Sequence, residues 1–214
     1  MDVFEALKAR RSTRAFLPMQ IEKEKLTAIL AAASRTPSWA NSQPWEVFVA
    51  TGAAQERIRK AFLDKHAHNE KVVPETARPS QWSEAAQERQ KQLRPGMVRD
   101  CGEVADQFAA LNQAMFHAPA GIYICMDKML SEWSLYDIGA YSQSLMLAAA
   151  AEGLATIPAI NMVLFPDVLR KELQIPDHLK ITIGIAIGYA DTEHGINRFI
   201  SERSPMEETV RFFD

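Results

Sequence analysis

Three arginines and a serine lie close together near the N-terminus, in the sequence ARRSTRAF at residues 9–16. In an extended chain alternate residues point to the same side, so Arg10, Ser12 and Arg14 would face one small volume. Guanidinium groups are permanently charged and donate hydrogen bonds in a planar fork that matches phosphate oxygens. The spacing therefore predicts a cage for a phosphate monoester, with Phe16 facing the same way and closing its floor.

The same arginines have a second interpretation as surface ion-pair partners. Glu5, Glu22 and Glu24 lie near them in the sequence and could supply the carboxylates. Such exposed pairs are common and contribute under about 1 kcal/mol each. The sequence alone leaves both interpretations open.

A second group of polar residues, RTPSWANSQPWEVFV at residues 35–49, connects a predicted helix to a predicted strand. Its amides and hydroxyls could hydrogen-bond a heteroaromatic ring, and its aromatic side chains could stack on that ring. The alternative is an ordinary helix-to-strand connection, and we favour that alternative for Trp45 as a core residue. Trp39 follows Ser38 in the middle of the loop, where the sequence indicates no core position for it.

A third candidate is Arg203, in the C-terminal sequence NRFISERSP at residues 197–205. It follows a predicted central strand. If that strand ends near the arginine cage, Arg203 could contact the same phosphate.

Several well-known catalytic motifs are missing from the sequence. There is no G-x-G-x-x-G dinucleotide fingerprint, no phosphate loop of the G-x-x-x-x-G-K-[ST] type and no G-x-S-x-G elbow. The only closely spaced histidines, His66 and His68, lie in a polar segment, and no catalytic zinc spacing occurs. We therefore predict no metal site and no Rossmann-type dinucleotide domain.

The composition is that of an ordinary globular protein. The 214 residues are 47% hydrophobic and carry 27 acidic against 24 basic side chains, which leaves no broad basic face for nucleic acid. The two cysteines, Cys101 and Cys125, form no C-x-x-C pair and indicate a reducing compartment. The N-terminus lacks the apolar core of a signal peptide and no apolar run reaches 18 residues, so we expect a cytoplasmic protein without membrane contact.

The hydrophobic periodicity predicts the elements that must position these groups. Helices are expected at residues 2–9, 21–35, 53–65, 103–118, 135–152 and 166–175, and strands at 44–51, 120–126 and 180–189. The long alanine-rich helix, with Ser134 as its expected cap, is apolar almost all round, which predicts that it is buried. The elements together predict one α+β domain over residues 1–214, with a central mixed sheet of four to five strands and helices on both faces.

Residues 69–100 are less periodic than the rest of the chain and contain Pro74, Pro79 and Pro95. They predict a helix flanked by loops. This segment could be an insertion or a lid over a site, or simply a solvated surface helix.

Five sequence elements occur in the order that is typical of one family. RRSTRAF, PSWANSQPWEVFVA, GLATIP, ITIGIAIGY and NRFISERSP follow one another over nearly the whole chain. In this order the chain resembles the FMN-dependent nitroreductase family. The first two elements together are quite specific, whereas either alone would be weak.

The resemblance implies an α+β fold, an intertwined homodimer and one FMN at each of two sites between the subunits. By position, Arg10, Ser12 and Arg14, with Arg11 beside them, resemble the residues that bind the phosphate and ribityl chain. Arg203 resembles a late arginine that joins the phosphate.

The resemblance also implies two further contacts with the flavin. Residues Pro37, Ser38, Trp39 and Asn41 match a loop that reaches the site from the partner subunit. Residues Pro158, Ala159 and Ile160 match a segment whose backbone faces the flavin ring near N5. The chain departs from the commoner pattern at Trp39 and at Ala159 to Asn161, and ring contacts from residues 69–90 have no motif here.

The implied activity is a ping-pong transfer of hydride from NADH or NADPH, through FMN, to a nitroaromatic, a quinone or a similar electron-poor acceptor. This chemistry needs no protein nucleophile or general base, so no catalytic side chain is predicted. Two alternatives stay open at this point. One is a flavoenzyme of the same fold that does not use a nicotinamide, and the other is a non-catalytic module that binds phosphate or a nucleotide.

Overall fold

The computed structural model describes all residues from 1 to 214. The helices are α1 (Val3–Ala9), α2 (Lys23–Ala33), α3 (Gly52–Ala67), α4 (Glu84–Lys91), α5 (Leu93–Cys101), α6 (Phe108–Gln113), α7 (Glu132–Ala151), α8 (Pro166–Leu173) and α9 (Met206–Thr209). The strands are β1 (Glu46–Thr51), β2 (Ala120–Asp127), β3 (Ala155–Ala159) and β4 (Leu179–Gly188). The predicted α+β class is confirmed.

The four strands form one sheet in the order β1-β2-β4-β3. Every neighbouring pair is antiparallel, so the prediction of a mixed sheet was wrong. One parallel pairing occurs outside the regular strand pairs, at an isolated bridge between Ser12 and Thr156. The sheet thus contains the predicted number of strands, and the arginine-rich segment adds a short pairing along its β3 edge.

The alternation of side chains along β2 shows why both faces of the sheet carry helices. Ile122 and Ile124 point into a core with α2 and α7, whereas Tyr123 and Cys125 point into a second core on the opposite face. All four side chains are fully buried. An apolar run that is buried on both faces is typical of a central strand. Strand β4, which was predicted to be central, lies between β2 and β3.

Strand β3 was not predicted, although the sheet needs it. It contains Pro158, which has no backbone N–H and is tolerated in sheets mainly on edge strands. Of the four strands only β4 pairs with it, and Gly184 of β4 lies opposite Ala159. A Cβ at Gly184 would lie 2.5 Å from Cβ of Met162, so only glycine lets the turn after β3 pack on the sheet. This close approach fixes where the segment from Pro158 to Ile160 lies.

The predicted helix at 103–118 is broken into three pieces. A 3₁₀ helix, Gly102–Gln107, precedes α6, and a second one, Met115–His117, follows it. All three residues of the second have positive φ, at 51°, 59° and 54°. Arg59 of α3 holds this turn, because its Nε donates to the Ala114 carbonyl at 3.2 Å and its Nη2 donates to the Ala118 carbonyl. Apolar periodicity does not reveal such a tertiary tie.

Two other boundaries differ from prediction. Helix α7 begins at Glu132 with Ser131 as its cap, so Ser134 lies inside the helix. Residues 69–100 form two helices rather than one. Helix α4 has no buried residue, whereas Met97 and Cys101 of α5 are in the core, so this segment is part surface and part core. No helix combines the length and the apolar character that a membrane crossing would need.

Candidate functional site

The arginine segment leaves α1 and runs extended, as predicted. Arg10 ends the helix with φ −62° and ψ 118°. The Thr13 amide then donates to the Thr156 carbonyl at 3.1 Å, and the Leu17 amide donates to the Tyr189 carbonyl at 2.9 Å. The segment is therefore tied to β3 at one end and to the residue after β4 at the other.

A residue that the sequence analysis did not identify, Asn197, sets the path of the segment. Its Oδ1 accepts from the amides of Arg14 at 2.7 Å and Ala15 at 3.2 Å. Its Nδ2 donates to the carbonyls of Ala15 at 2.8 Å and Asp191 at 2.9 Å. Asn197 is buried, and three of these four bonds join the C-terminal part of the chain to the N-terminal segment. The sequence analysis quoted Asn197 only as the first residue of NRFISERSP and gave it no role, because Arg14 and Ala15 are far away in the sequence.

The predicted binding residues from both ends of the chain line one cavity of about 480 Å³, which we call the arginine cavity. Arg10, Arg11, Ser12 and Arg14 come from the N-terminal segment, and Arg203 comes from the tail. Phe16 does not form its floor, because its side chain packs in the core beside Gly188. Phe199 takes that place, and its ring centroid lies 5.1 Å from the Arg14 guanidinium carbon.

The four arginines of the cavity form no ion pair. Glu5 instead caps α1 by accepting from the Asp2 amide, and Glu22 accepts from the Tyr189 hydroxyl. The interpretation of these arginines as surface ion-pair partners was therefore wrong. A cavity lined by unpaired cations is chemically suited to an anion.

The electrostatics of Arg10 and Arg14 point the same way. Burial lowers the pKa of Arg10, and the positive charge of Arg203 lowers it further. Burial also lowers the pKa of Arg14, whose side chain donates from Nη1 to the Ser12 carbonyl while its buried Nε has no partner. Both cations are disfavoured as they stand, and a phosphate dianion beside them would relieve the repulsion and accept the free donors.

The helix-to-strand loop at residues 35–49 does not line the arginine cavity. Pro37, Ser38 and Trp39 line a separate cavity of about 290 Å³. Trp39 is 70% exposed and occupies no core position, as predicted, whereas Trp45 packs against Tyr141 with ring centroids 4.7 Å apart. Asn41 follows in a short 3₁₀ turn with φ 56° and lines neither cavity.

The third predicted group, Pro158, Ala159 and Ile160, lies at the end of β3. Pro158 and Ile160 are exposed and Ala159 is half-buried, and none of them lines the two cavities. A single chain thus brings five of the predicted binding residues together at the arginine cavity. The other two predicted groups lie on separate surfaces.

Comparison with known proteins identifies the family. A model described as "Nitroreductase family" matches residues 7–189. The chain belongs to the nitroreductase family. Nitroreductase NfnB of Mycolicibacterium smegmatis is 30% identical over 96% of this chain and 90% of the relative. The 4-nitrobenzoate reductase of Pseudomonas putida is 32% identical over 99% of this chain and 94% of the relative.

Solved structures agree with this assignment. An FMN- and NADPH-dependent nitroreductase, NfnB of Sphigopyxis sp. strain HMH, superposes with a TM-score of 0.92 at 26% identity, covering 100% of both chains. An FMN-dependent nitroreductase of Mycobacterium smegmatis, solved with NADPH, gives a TM-score of 0.89 at 28% identity, again covering 100% of both chains. The nitroreductase fold that the sequence predicted is confirmed.

Proposed function

We propose that this protein is an FMN-dependent oxidoreductase of the nitroreductase type. It would accept hydride from NADH or NADPH and reduce nitroaromatic compounds, quinones or similar electron-poor acceptors in a ping-pong cycle. The observation that carries the proposal is the arginine cavity, where four guanidinium groups converge without a carboxylate partner. The family relatives that act on 4-nitrobenzoate and the NADPH-dependent structures support the same reaction class.

The arginine cavity fits the phosphate end of FMN. Arg14 has a buried Nε without an acceptor, and Arg10 and Arg203 repel each other across the cavity. A phosphate monoester supplies both the missing acceptor and the missing negative charge. Ser12, whose hydroxyl makes no hydrogen bond within the protein, is placed to bind a phosphate or ribityl oxygen.

When bound, FMN would supply the hydride chemistry, and the chain would hold and orient it. Arg10, Arg14 and Arg203 would anchor the phosphate, while Asn197 keeps the Arg14 backbone in position. The backbone at Pro158 to Ile160 would face the flavin ring. No side chain of this chain needs to act as a nucleophile or a general base in this scheme.

We further propose that the active protein is an intertwined homodimer. The outer face of α7 carries exposed Trp133 and Tyr136, and partly exposed Leu147. Both ends of the chain also expose large apolar side chains, among them Phe4 at 75% and Phe213 at 91%. Burial of such surfaces drives stable association. A partner subunit would bring residues 37–41 to a site that one chain leaves incomplete.

The flavin cage is tested with the Arg14→Ala variant. The loss of charge-assisted hydrogen bonds should weaken FMN binding by about 1.5–3 kcal/mol, which is roughly a 10- to 150-fold rise in Kd. Arg57→Ala is the matched control, because Arg57 is an exposed arginine already paired with Glu172. The measurement is the flavin-to-protein ratio after extensive dialysis. An Arg14→Ala protein that keeps its full flavin content contradicts the cage.

The redox reaction is tested separately on the purified wild-type protein. Anaerobic NADH or NADPH should bleach the flavin absorbance rapidly, and nitrobenzene should restore it. A flavin that neither nicotinamide bleaches would favour a flavoenzyme that does not use a nicotinamide. A colourless protein that ignores added FMN would favour a simple anion-binding module.

A further inference from the structure

The Arg14 guanidinium lies against two aromatic rings. Its carbon is 5.1 Å from the ring centroid of Phe199 and 5.8 Å from that of Phe108, and both distances allow a cation and an aromatic face to attract each other. Phe108 is the first residue of α6, and Phe199 follows the 3₁₀ helix Gly195–Arg198. The two rings are called the phenylalanine pair below.

No carboxylate pairs with Arg14 in this environment. Arg14 is only 8% exposed, yet it forms no ion pair, and its side chain makes a single hydrogen bond, from Nη1 to the Ser12 carbonyl. Its Nε is buried without an acceptor. A carboxylate partner would stabilise a buried guanidinium, but it would also cancel the charge and occupy the donors. An aromatic face attracts the cation and leaves its charge and its free donors available to a ligand.

The two rings of the pair are fixed by different neighbours. Phe199 is buried and lines the arginine cavity, and α5 packs against it so closely that a Cβ at Gly96 would lie 3.2 Å from its Cε2. Phe108 is partly buried against the same core and does not line the arginine cavity. Phe108 would therefore influence a ligand in the cavity through Arg14 rather than by touching that ligand.

We propose that the phenylalanine pair holds Arg14 as an uncompensated cation for the bound FMN, which makes Phe108 and Phe199 positioning residues of the arginine cavity. This inference rests on the proposed function and names the side chains that prepare its cofactor site. Without the rings, the long Arg14 side chain would be free to turn its charged end toward water, and FMN would have to reorder it on binding. The alternative is that the rings only fill the core. Filling requires apolar volume, whereas holding a cation requires an aromatic face.

The FMN dissociation constant of the flavin-stripped, full-length protein separates these explanations. It is measured from the quenching of flavin fluorescence on titration. Phe108→Leu keeps an apolar side chain but removes the ring, and it should raise Kd about 10-fold. Phe108→Tyr keeps the ring, and its hydroxyl can reach water because this position is partly exposed, so Kd should stay within about 2-fold of wild type. A wild-type Kd for Phe108→Leu would overturn the proposal.

Phe48→Leu is the matched control. Phe48 is also partly buried against this core, but no cation lies over its ring. Its replacement should lower Tm through lost packing and leave the FMN Kd within about 2-fold of wild type. An equal rise of Kd in Phe48→Leu and Phe108→Leu would show a general packing effect, and the proposal would be wrong. Phe199→Leu should behave as Phe108→Leu does, and if it does not fold, the Phe108 variants decide alone.

A double-mutant cycle with Arg14→Met shows whether the ring acts through the cation. In the Arg14→Met background, Phe108→Leu should raise the FMN Kd by less than about 2-fold further, because no charge remains to be held. An equal factor in both backgrounds would mean that the ring acts independently of Arg14, and the proposal would be wrong.

The cycle also separates this inference from the proposed function, because it uses neither a nicotinamide nor an acceptor. A protein that shows the coupling, but whose flavin neither nicotinamide reduces, would contradict the proposed function and support the phenylalanine pair. A protein that reduces nitrobenzene with NADH or NADPH, but shows no coupling, would contradict the phenylalanine pair alone.

Discussion

Replacement of Asn197 by alanine should destabilise the protein and loosen the arginine cavity together. Asn197 provides the acceptor for two buried amides, those of Arg14 and Ala15. The Ala15 carbonyl would keep a hydrogen-bond donor in this variant, because it also accepts from the Asp191 amide at 3.1 Å. The two amides have no other partner in the chain.

The size of the effect follows from these two stranded donors. A buried N–H without an acceptor costs about 1–3 kcal/mol, so two of them cost roughly 2–6 kcal/mol. For a protein of this length, each kcal/mol lowers Tm by about 2–4 °C. A loss of about 4 kcal/mol, the middle of this range, therefore predicts a Tm lower by roughly 8–16 °C.

The assay is differential scanning calorimetry at fixed protein and FMN concentrations, because ligand and subunit binding both shift Tm. Asn112→Ala is the matched control. Asn112 has a buried Oδ1 without a partner, so its truncation strands no amide. Asn197→Asp should also destabilise the protein, because a carboxylate oxygen would then face the Ala15 and Asp191 carbonyls that Nδ2 now contacts. A Tm of Asn197→Ala within about 2 °C of wild type would contradict the prediction that two unpaired buried amides destabilise the protein by several kcal/mol.

Two further predictions concern the subunit interface and the pH dependence. A Cβ built at Gly139 of α7 meets no neighbouring side chain or other segment within 4 Å, so the Gly139→Leu variant should leave the protomer folded. If α7 forms the subunit interface, the added side chain should raise the dimer dissociation constant, measured by analytical sedimentation, at least about 10-fold. An unchanged dissociation constant would mean that the interface lies elsewhere. Burial lowers the pKa of His66 in the folded protein. As pH falls below about 6.5, the unfolded state therefore binds more protons than the folded state, and the free energy of unfolding decreases. His66→Leu should therefore lose less stability than wild type in urea unfolding between pH 7.5 and 5.5, and equal losses would contradict the assignment.

Much of the fold followed from local patterns. The apolar runs of β2 and β4 and the periodicity of α2 and α7 were sufficient to predict the elements and the layered α+β arrangement. Strand β3 escaped prediction because it is short and contains Pro158, which signals a break in most contexts. The antiparallel order of the sheet depends on which strands meet, and hydrophobic periodicity carries no such information.

The candidate site shows the same division. The type and spacing of Arg10, Ser12 and Arg14 predicted an anion site, and Arg203 was assigned to it from its place after a central strand. The resemblance then assigned FMN to that site, and this assignment stays a proposal. The contacts of Phe16 and Asn197 were not predicted, because each depends on a partner brought close only by folding.

The sequence by itself determined the chemical groups of this protein: permanent cations at both ends of the chain, a polar loop with an exposed tryptophan, and the apolar runs that build the sheet. The tertiary structure alone decided that the two ends meet and that no carboxylate pairs with the arginines there. The physical reason is that a buried extended segment must satisfy its backbone amides. Asn197, 183 residues from Arg14, provides that partner only when β3 and β4 lie side by side.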